Sequence, residues 1–557
     1  MAVTAEPDAR KRATHTVINQ APPLVDYDLF TSDRALVEAL EREGGSWARP
    51  QLAQFGRLMG DRQSIALGFQ ANENPPVLHT HDRFGNRIDE VEFHPSWHEL
   101  LRMSIEHGIH NLPWREAREG AHVARSALMM LASQNEAGHG CPISMTYSVV
   151  PVLRKQPDVG EEWIQRICTA SYDRRFRPAA EKTGVLLGMG MTEKQGGSDV
   201  RANSTRAVPV KAAGPGQPYL LTGHKWFCSA PMCDAFLILA QAPGGLSCFL
   251  LPRWTPEGGR NRFLIQRLKH KLGNRSNASS EVEFDEALAW LVGEEGRGVA
   301  TIIEMVNHTR LDCVISSSAF MRQALVQAIH HARHRAAFGH LLCDQPLMQN
   351  VLADLSIESE AATVLMMRLA RAYDQAPRDP GENTFRRIAT AVAKYWICKR
   401  TAQHVVECLE CLGGNGFVEE SILPRLYRES PLNSIWEGSG NIICLDVLRA
   451  LRNEPESASA LLAEINLGVG QDRRLDAYAK TVGDDILKSS RSEVEARRLV
   501  ERMALSLQAS LLVRHAPPAV ADAFCATRLG GDWGHAFGTL PSTIDAKKIL
   551  ALAAPVF

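Results

Sequence analysis

The chain has 557 residues, enough for several domains at roughly 100–200 residues each. It is 45% hydrophobic and 22% charged, an ordinary globular balance that excludes a wholly disordered or fibrous protein. With 62 Lys+Arg against 63 Asp+Glu the formal net charge is −1, so the whole-chain balance is not that of a strongly basic nucleic-acid binder.

Residues 1–13 read as a mobile tail. Met1–Asn19 include Lys11 and Arg12 but no apolar stretch of a secretory signal. No uninterrupted apolar run approaches the length of about eighteen residues that a membrane span needs. Twelve cysteines scattered through apolar stretches fit a reducing compartment, and the expected location is cytoplasmic.

From Ser32, a candidate helix cap, to about Arg177 the pattern is mostly helical. Ser32–Glu43 and Ala121–Ala132 repeat apolar residues at three- and four-residue spacing. Asn74–Asp89, with its prolines and Gly85, reads as an irregular excursion between helices. Near Leu186 the texture changes to short apolar or alternating runs: Tyr219–Thr222, Ala235–Ala240, Leu246–Leu251, Phe263–Arg267 and Glu281–Phe284. Gly296–Gly298 closes that unit. Helical patterning then returns from Val299 to about Leu451, with breaker-poor segments Ser317–His334 and Phe385–Leu412, as in a helix bundle. A turn at Asn453–Glu456 precedes a further helical stretch. The expected class is α+β with segregated parts: a helical domain over 14–185, an antiparallel β domain over 186–295, a bundle over 296–453 and an added helical domain over 454–557.

The glycine-rich stretch Gly188–Asp199 has the first two glycines of a dinucleotide fingerprint, but Glu193 stands at the third and no helix follows, which argues against a Rossmann unit. With Thr192 and Ser198 this loop suits either a phosphate or a tight join between domains. His404, Cys408 and Cys411, and the pair His330 and His334, lie on helical patterns without further ligands. They read as packing, and no metal site is expected. In Trp436-Glu-Gly-Ser-Gly-Asn441, Ser439 is placed to cap a helix over Asn441–Leu451, while Gly438 and Gly440 permit unusual backbone angles. Glu437, beside Ile435 and Trp436, is either a partly desolvated base or an acid that complements the helix dipole.

Taken in order, Met191-Thr-Glu-Lys-Gln-Gly-Gly-Ser-Asp199, Gly223-His-Lys-Trp-Phe-Cys-Ser229, Lys271-Leu-Gly-Asn-Arg-Ser276, Arg335-Ala-Ala-Phe-Gly339, Gly413-Gly-Asn-Gly-Phe417 and Ile435-Trp-Glu-Gly-Ser439 resemble the acyl-CoA dehydrogenase flavoproteins. The wording is most similar to the branch associated with the adaptive response to DNA alkylation. The resemblance implies the acyl-CoA dehydrogenase fold with an added C-terminal helical domain, and non-covalent FAD. It implies that Met189, Gly190, Met191, Thr192, Gly197 and Ser198 approach the flavin and pyrophosphate. Phe227, Cys228 and Ser229 match the second flavin strand, with Phe227 where the family usually has Trp and Trp226 one position earlier. Arg335, Phe338, Gln345, Gly413 and Gly414 match segments that complete the site from a neighbouring subunit of a homotetramer. Ile435, Trp436, Gly438, Ser439 and Asn441 flank the same site.

Glu437 falls at the position of the catalytic base, which takes the α-proton of an acyl-CoA thioester while flavin N5 accepts hydride from the β-carbon. One branch supplies the base from the helix after the β domain. There this chain has Thr309, which cannot ionise, and Glu304 is on another face. The resemblance also implies double-stranded DNA as a partner, bound through the added domain. Pro455–Phe557 carries equal numbers of basic and acidic residues, so such binding needs a local stripe. Were Asp484–Arg514 one helix, Lys488, Arg491, Arg498 and Arg502 would share an arc of about 80°. The function expected is a weak acyl-CoA dehydrogenase activity joined to DNA binding and protection against alkylation. The alternative is a metabolic dehydrogenase of a short or branched acyl-CoA without DNA binding.

Overall fold

The computed structural model describes residues 14–489 and 492–555, so the tail over 1–13 and Arg491 lie outside the described residues. The N-terminal part opens with α1 (Arg34–Arg42), α2 (Arg49–Gly60) and α3 (Arg62–Glu73). Asp33, not Ser32, caps α1, its carboxylate accepting the Leu36 N–H at 3.3 Å. The segment expected to be irregular is instead a hairpin of β1 (Val77–His81) and β2 (Arg87–Glu92). Pro75 and Pro76 stand before β1, where they remove no ladder bond. Asp82 closes the turn by accepting the N–H groups of Phe84 and Asn86 at 2.8 and 2.9 Å.

Next come α4 (Pro95–Glu106), α5 (Leu112–Arg115), α6 (Ala121–Asn135), α7 (Gly140–Leu153) and α8 (Pro157–Ile167). Every residue of α6 is buried, so it forms the centre of this domain. The long helices stop at Ile167 rather than near Arg177. Buried Asn111 takes the carbonyls of Ile167 and Thr169 at 2.9 and 2.7 Å, which ends the helix on side-chain rather than helical bonds.

The β domain holds β3 (Leu187–Gly190), β4 (Arg206–Pro209), β5 (Pro218–Ser229), β6 (Ala235–Ala242), β7 (Gly245–Pro252), β8 (Phe263–Leu268) and β9 (Ser279–Val292). Five of the strand pairings are antiparallel, while β3 and β4 each run parallel to β6. β5 continues through Gly223–Ser229, so that motif forms the end of a long strand.

The bundle is built on α9 (Gly298–His334), 37 residues and about 55 Å long at 1.5 Å per residue. A short hairpin, β10 (Ala336–Ala337) and β11 (His340–Leu341), leads into α10 (Pro346–Gln375) and α11 (Pro380–Cys411). Within it His404 Nε2 donates to the Leu355 carbonyl at 3.0 Å, which uses that ring in helix packing. Then follow α12 (Gly414–Phe417), α13 (Ile422–Glu429) and α14 (Gly440–Asn453).

The added part comprises α15 (Pro455–Asn466), α16 (Arg473–Ser489), α17 (Ala496–His515), α18 (Pro518–Phe524) and α19 (Ala546–Ala553), packed on α10 and α11. The single helix expected over Asp484–Arg514 is therefore two. Asp485 of α16 and Arg502 of α17 form an ion pair. A continuous helix would hold them about 25 Å apart. Lys488, Arg498 and Arg502 do not line one helical face, and the Arg502 charge is met by Asp485.

The N-terminal domain is joined to the bundle by a buried pair. Arg125 of α6 donates to Asp312 of α9 through both terminal nitrogens, lies over the Tyr147 ring at 3.7 Å and gives its Nε–H to the Ile109 carbonyl at 2.9 Å. Removing one partner of such a pair leaves an uncompensated buried charge, which costs about 3–5 kcal/mol. Asp312→Ala is accordingly expected to lower unfolding free energy by that amount in urea titrations. Arg125→Met with Asp312→Leu should recover most of the loss.

Candidate active site

The site is assembled around a turn before α14. Glu437 has φ +59° and Gly438 φ +102°, so a non-glycine residue is held in the left-handed region, at a cost of roughly 1–3 kcal/mol. Two cations hold it there. Lys394 of α11 donates to the Trp436 carbonyl at 2.8 Å and also to the Gly438 carbonyl. Arg310 of α9 gives its Nε–H to the Glu437 carbonyl at 3.0 Å. Arg310 is itself fixed by Asp446 of α14 at 2.7 Å, which also takes Arg387 at 3.1 Å. All the main-chain carbonyls of the turn are thus occupied.

The Glu437 side chain faces α9. Thr309 Oγ1 donates to Glu437 Oε2 at 2.8 Å, so the residue that replaces an alternative base instead orients the carboxylate. Burial raises the Glu437 carboxyl above the usual carboxylate range, against the hydrogen bond of Thr309 and the positive charges of Lys394 and Arg310. Glu304 is engaged elsewhere, 3.6 Å from Arg386. Ser439 occupies the cap position of α14, yet its side chain makes no capping bond. Asn441 accepts from Arg497 Nε of α17 at 2.8 Å, so the added domain reaches the start of this helix.

A second wall comes from the β domain. Glu193 is fully buried and accepts Lys225 Nζ at 2.8 Å, Ser204 N at 2.6 Å, Ser204 Oγ at 2.8 Å and Thr205 N at 3.0 Å. Burial opposes ionisation, but the bonds from Lys225 and Thr205 hold its carboxyl well below the usual range. This explains an acid where a dinucleotide fingerprint needs glycine: Glu193 anchors the loop from beneath. Trp226 N donates to the Thr192 carbonyl at 2.8 Å, tying the loop to β5. A Cβ on Gly197 would lie 2.4 Å from Thr192 Oγ1, so the chain must approach Thr192 without a side chain. Met189 and Met191 are partly buried, Gly190 is buried, and Ser198 is exposed beside this loop.

Along β5, Phe227 is 49% exposed while Cys228 is fully buried. The Cys228 thiol lies 3.5 Å from the Cβ that Gly190 would carry, inside the sheet. Strand alternation thus turns the Cys228 side chain into the sheet and leaves its main chain beside Phe227 and Ser229. Ser229 Oγ is 3.2 Å from Ser279 Oγ, and Lys271 Nζ donates to Ser279 Oγ at 3.2 Å and to the Asn277 carbonyl at 2.5 Å. Asn277 is 1% exposed, and its side chain hydrogen-bonds the Cys141 thiol. It immediately follows Ser276 in a motif of polar residues, the signal that marks it in the sequence. Burial pushes the Cys141 thiol up to about 12, with the Lys271 charge opposing that shift and the Glu437 charge adding to it.

The remaining expected residues lie elsewhere. Arg335 is about 39 Å beyond Thr309 along α9, and Gly413 about 28 Å beyond Lys394 along α11. They gather around the N-terminal segment: Arg335 donates to the Asn19 carbonyl at 2.6 Å, and Asn415 Nδ2 to Gln20 Oε1 at 3.4 Å. Phe338, at the hairpin tip, is 95% exposed, and Gln345 Nε2 donates to the Ala337 carbonyl at 3.0 Å. Gly413 has φ +59° and Gly414 begins α12. One chain does not bring these residues to Glu437.

A helical domain, an antiparallel β domain and a helix bundle that carries the half-buried Glu437 carboxylate make up the acyl-CoA dehydrogenase fold. Family models match as follows: adaptive response protein AidB N-terminal domain over residues 19–174, acyl-CoA dehydrogenase middle domain over 188–287 and acyl-CoA dehydrogenase C-terminal domain over 296–452. AidB of Escherichia coli (strain K12) is 47% identical over 93% of this chain and 94% of its own. Acyl-CoA dehydrogenase family member 11 of Caenorhabditis elegans is 29% identical over 83% of this chain and 75% of its own. The structure of Caenorhabditis elegans ACDH-11 in complex with C11-CoA superposes with a TM-score of 0.84 at 26% identity, covering 95% of both chains. The chain belongs to the acyl-CoA dehydrogenase family. Among the described residues, no helix is long and apolar enough to cross a membrane.

The raised Glu437 carboxyl has a thermodynamic consequence. A carboxyl whose folded pKa exceeds its unfolded value of about 4.5 opposes folding once it ionises. Its cost is absent below the unfolded pKa and is complete above the raised one. Glu437→Gln keeps the side-chain shape and is expected to have a Tm equal to wild type near pH 4. The variant's Tm should exceed wild type increasingly as pH rises through that window, as calorimetry across pH would record.

Proposed function

We propose that the protein is an FAD-dependent acyl-CoA dehydrogenase-type oxidoreductase of the AidB branch, with Glu437 as the base that removes the α-proton of an acyl-CoA thioester. The observation that carries this reading is the clamped Glu437 turn, which holds a half-buried carboxylate against the Thr309 hydroxyl of α9. A base with a pKa raised by burial is better matched to proton removal near neutrality than an exposed carboxylate. Thr309 steadies the carboxylate without competing as a base.

The residues present fit FAD. The half-exposed Phe227 ring, the Ser229 hydroxyl and the side-chain-free approach at Gly197 supply apolar and hydrogen-bonding parts. Met189, Gly190, Met191, Thr192, Gly197, Ser198, Phe227 and Ser229 would hold the cofactor from the β domain, and Ile435, Trp436, Gly438, Ser439 and Asn441 from the bundle. FAD, when bound, supplies the acceptor for the substrate's β-hydride. Arg335, Phe338, Gln345, Gly413 and Gly414 would serve the site of a neighbouring copy in a homotetramer, consistent with their distance from Glu437 within one chain. The acyl-CoA class is supported by the C11-CoA bound in the C. elegans structure.

Anaerobic mixing with acyl-CoA thioesters of graded chain length tests the reading. Bleaching of the flavin absorbance is expected, and Glu437→Gln should slow it on the order of 10³-fold without loss of bound FAD. Failure of every acyl-CoA to bleach the wild type would sink it.

The AidB likeness further supports a role in DNA binding and protection against alkylation, with duplex DNA as a partner. Lys488 and Arg498 are the unpaired members of the expected basic set among the described residues, so their contacts would be few per chain and multiplied by oligomer symmetry. Duplex affinity should then fall with salt, and Lys488→Gln with Arg498→Gln should weaken binding and flatten the salt slope. Undetectable binding at low salt would remove DNA from the reading.

A further inference from the structure

Lys394 occupies an unusual place for an ammonium group. It sits in the interior of α11, 1% exposed, with Ala391, Val392 and Ala393 buried before it. Burying a lysine among apolar residues costs several kcal/mol unless its charge is met. Its Nζ bonds are to the carbonyls of Trp436 and Gly438, which flank Glu437 on either side. Among the described residues it forms no ion pair with a carboxylate at contact distance.

The groups that face Glu437 leave Lys394 a distinct part. From α9 come Thr309, Arg310, Asp312 and Cys313; from α7, Cys141; from α11, Lys394. Arg310 is committed to Asp446, and Asp312 to Arg125. Lys394 is the cation of this set whose charge no other carboxylate takes up. Its two donor bonds also span the residue in the left-handed region, so losing them releases a turn that has no reason of its own to stay strained.

We infer that Lys394 is a positioning residue for Glu437: it locks the strained turn that aims the carboxylate, and its charge offsets the burial of that carboxylate. The inference rests on the reading of Glu437 as the base. Lys394 touches neither substrate nor cofactor in this role, and acts through the turn.

Two readouts test it on the full-length, FAD-loaded protein. The first is an infrared difference titration of the Glu437 carboxyl, wild type minus Glu437→Gln, which needs no acyl-CoA. The second is the pH profile of anaerobic flavin reduction. Lys394→Met is expected to retain FAD and to raise the titration midpoint by about one unit or more. It should slow reduction at neutral pH on the order of 10²-fold, with the concentration for half-maximal rate changed less than about threefold. Lys394→Arg should restore most of the rate and the midpoint. If Lys394→Met fails to fold, Lys394→Gln, which keeps a donor without the charge, is read the same way. A wild-type midpoint and rate in the neutral variant overturn the inference. Should no acyl-CoA reduce the wild type, the base reading falls, and the infrared midpoint alone still decides whether Lys394 sets the carboxyl.

Discussion

The site depends on one constraint: a glutamate held in a left-handed turn by cations from two helices of the bundle. Backbone strain at Glu437 persists only because Lys394 and Arg310 occupy the carbonyls around it. Those cations are in turn fixed by the bundle, Arg310 through Asp446 of α14 and Lys394 by burial in α11. The long helices are therefore more than a scaffold. Their register sets where the carboxylate points, because Thr309, Arg310 and Asp312 lie within about one turn of α9 and face, respectively, the carboxylate, its main chain and the N-terminal domain.

The β domain solves a different problem by the same means. A loop rich in glycine has little intrinsic order, and Glu193 supplies it from below with three hydrogen bonds accepted from Ser204 and Thr205 and a buried ion pair to Lys225. In both walls a buried charge organises main chain rather than meeting a ligand. Buried ion pairs contribute little net stability compared with apolar packing, so their value here is geometric. They specify one backbone path where several would pack equally well.

Much of the architecture is legible in the residues. The change from three- and four-residue spacing to short alternating runs marks the β domain, and the order of motifs marks the family. What escapes has physical causes. Pro75 and Pro76 hide a hairpin because they precede its first strand rather than interrupt it. A charge-rich run from Asp484 has helical spacing throughout, and nothing local announces that Asp485 and Arg502 meet across a reversal. Strand alternation inside Gly223–Ser229 could have separated inward Cys228 from outward Phe227, but a motif read as a block conceals it. Lys394 is the hardest case: one lysine in an apolar helix looks like any side chain that reaches water, and only tertiary contact shows that it does not.

The two groups of family-motif residues lie about 28–39 Å apart along the bundle helices, and this separation follows from helix length: one group flanks the middle of α9 and α11, the other their C-terminal ends. At the far end Arg335 and Asn415 hold Asn19 and Gln20, and Phe338 is almost fully exposed and unsupported by its own chain. An aromatic ring presented in that way, on a hairpin whose tip is itself in the left-handed region, gains packing only from another molecule. Placing the second half of the motif set there makes sense if an identical chain supplies its Glu437 end to meet it. Site completion and self-association would then be one requirement, and the N-terminal segment would belong to the site although it is far from Glu437 in its own chain.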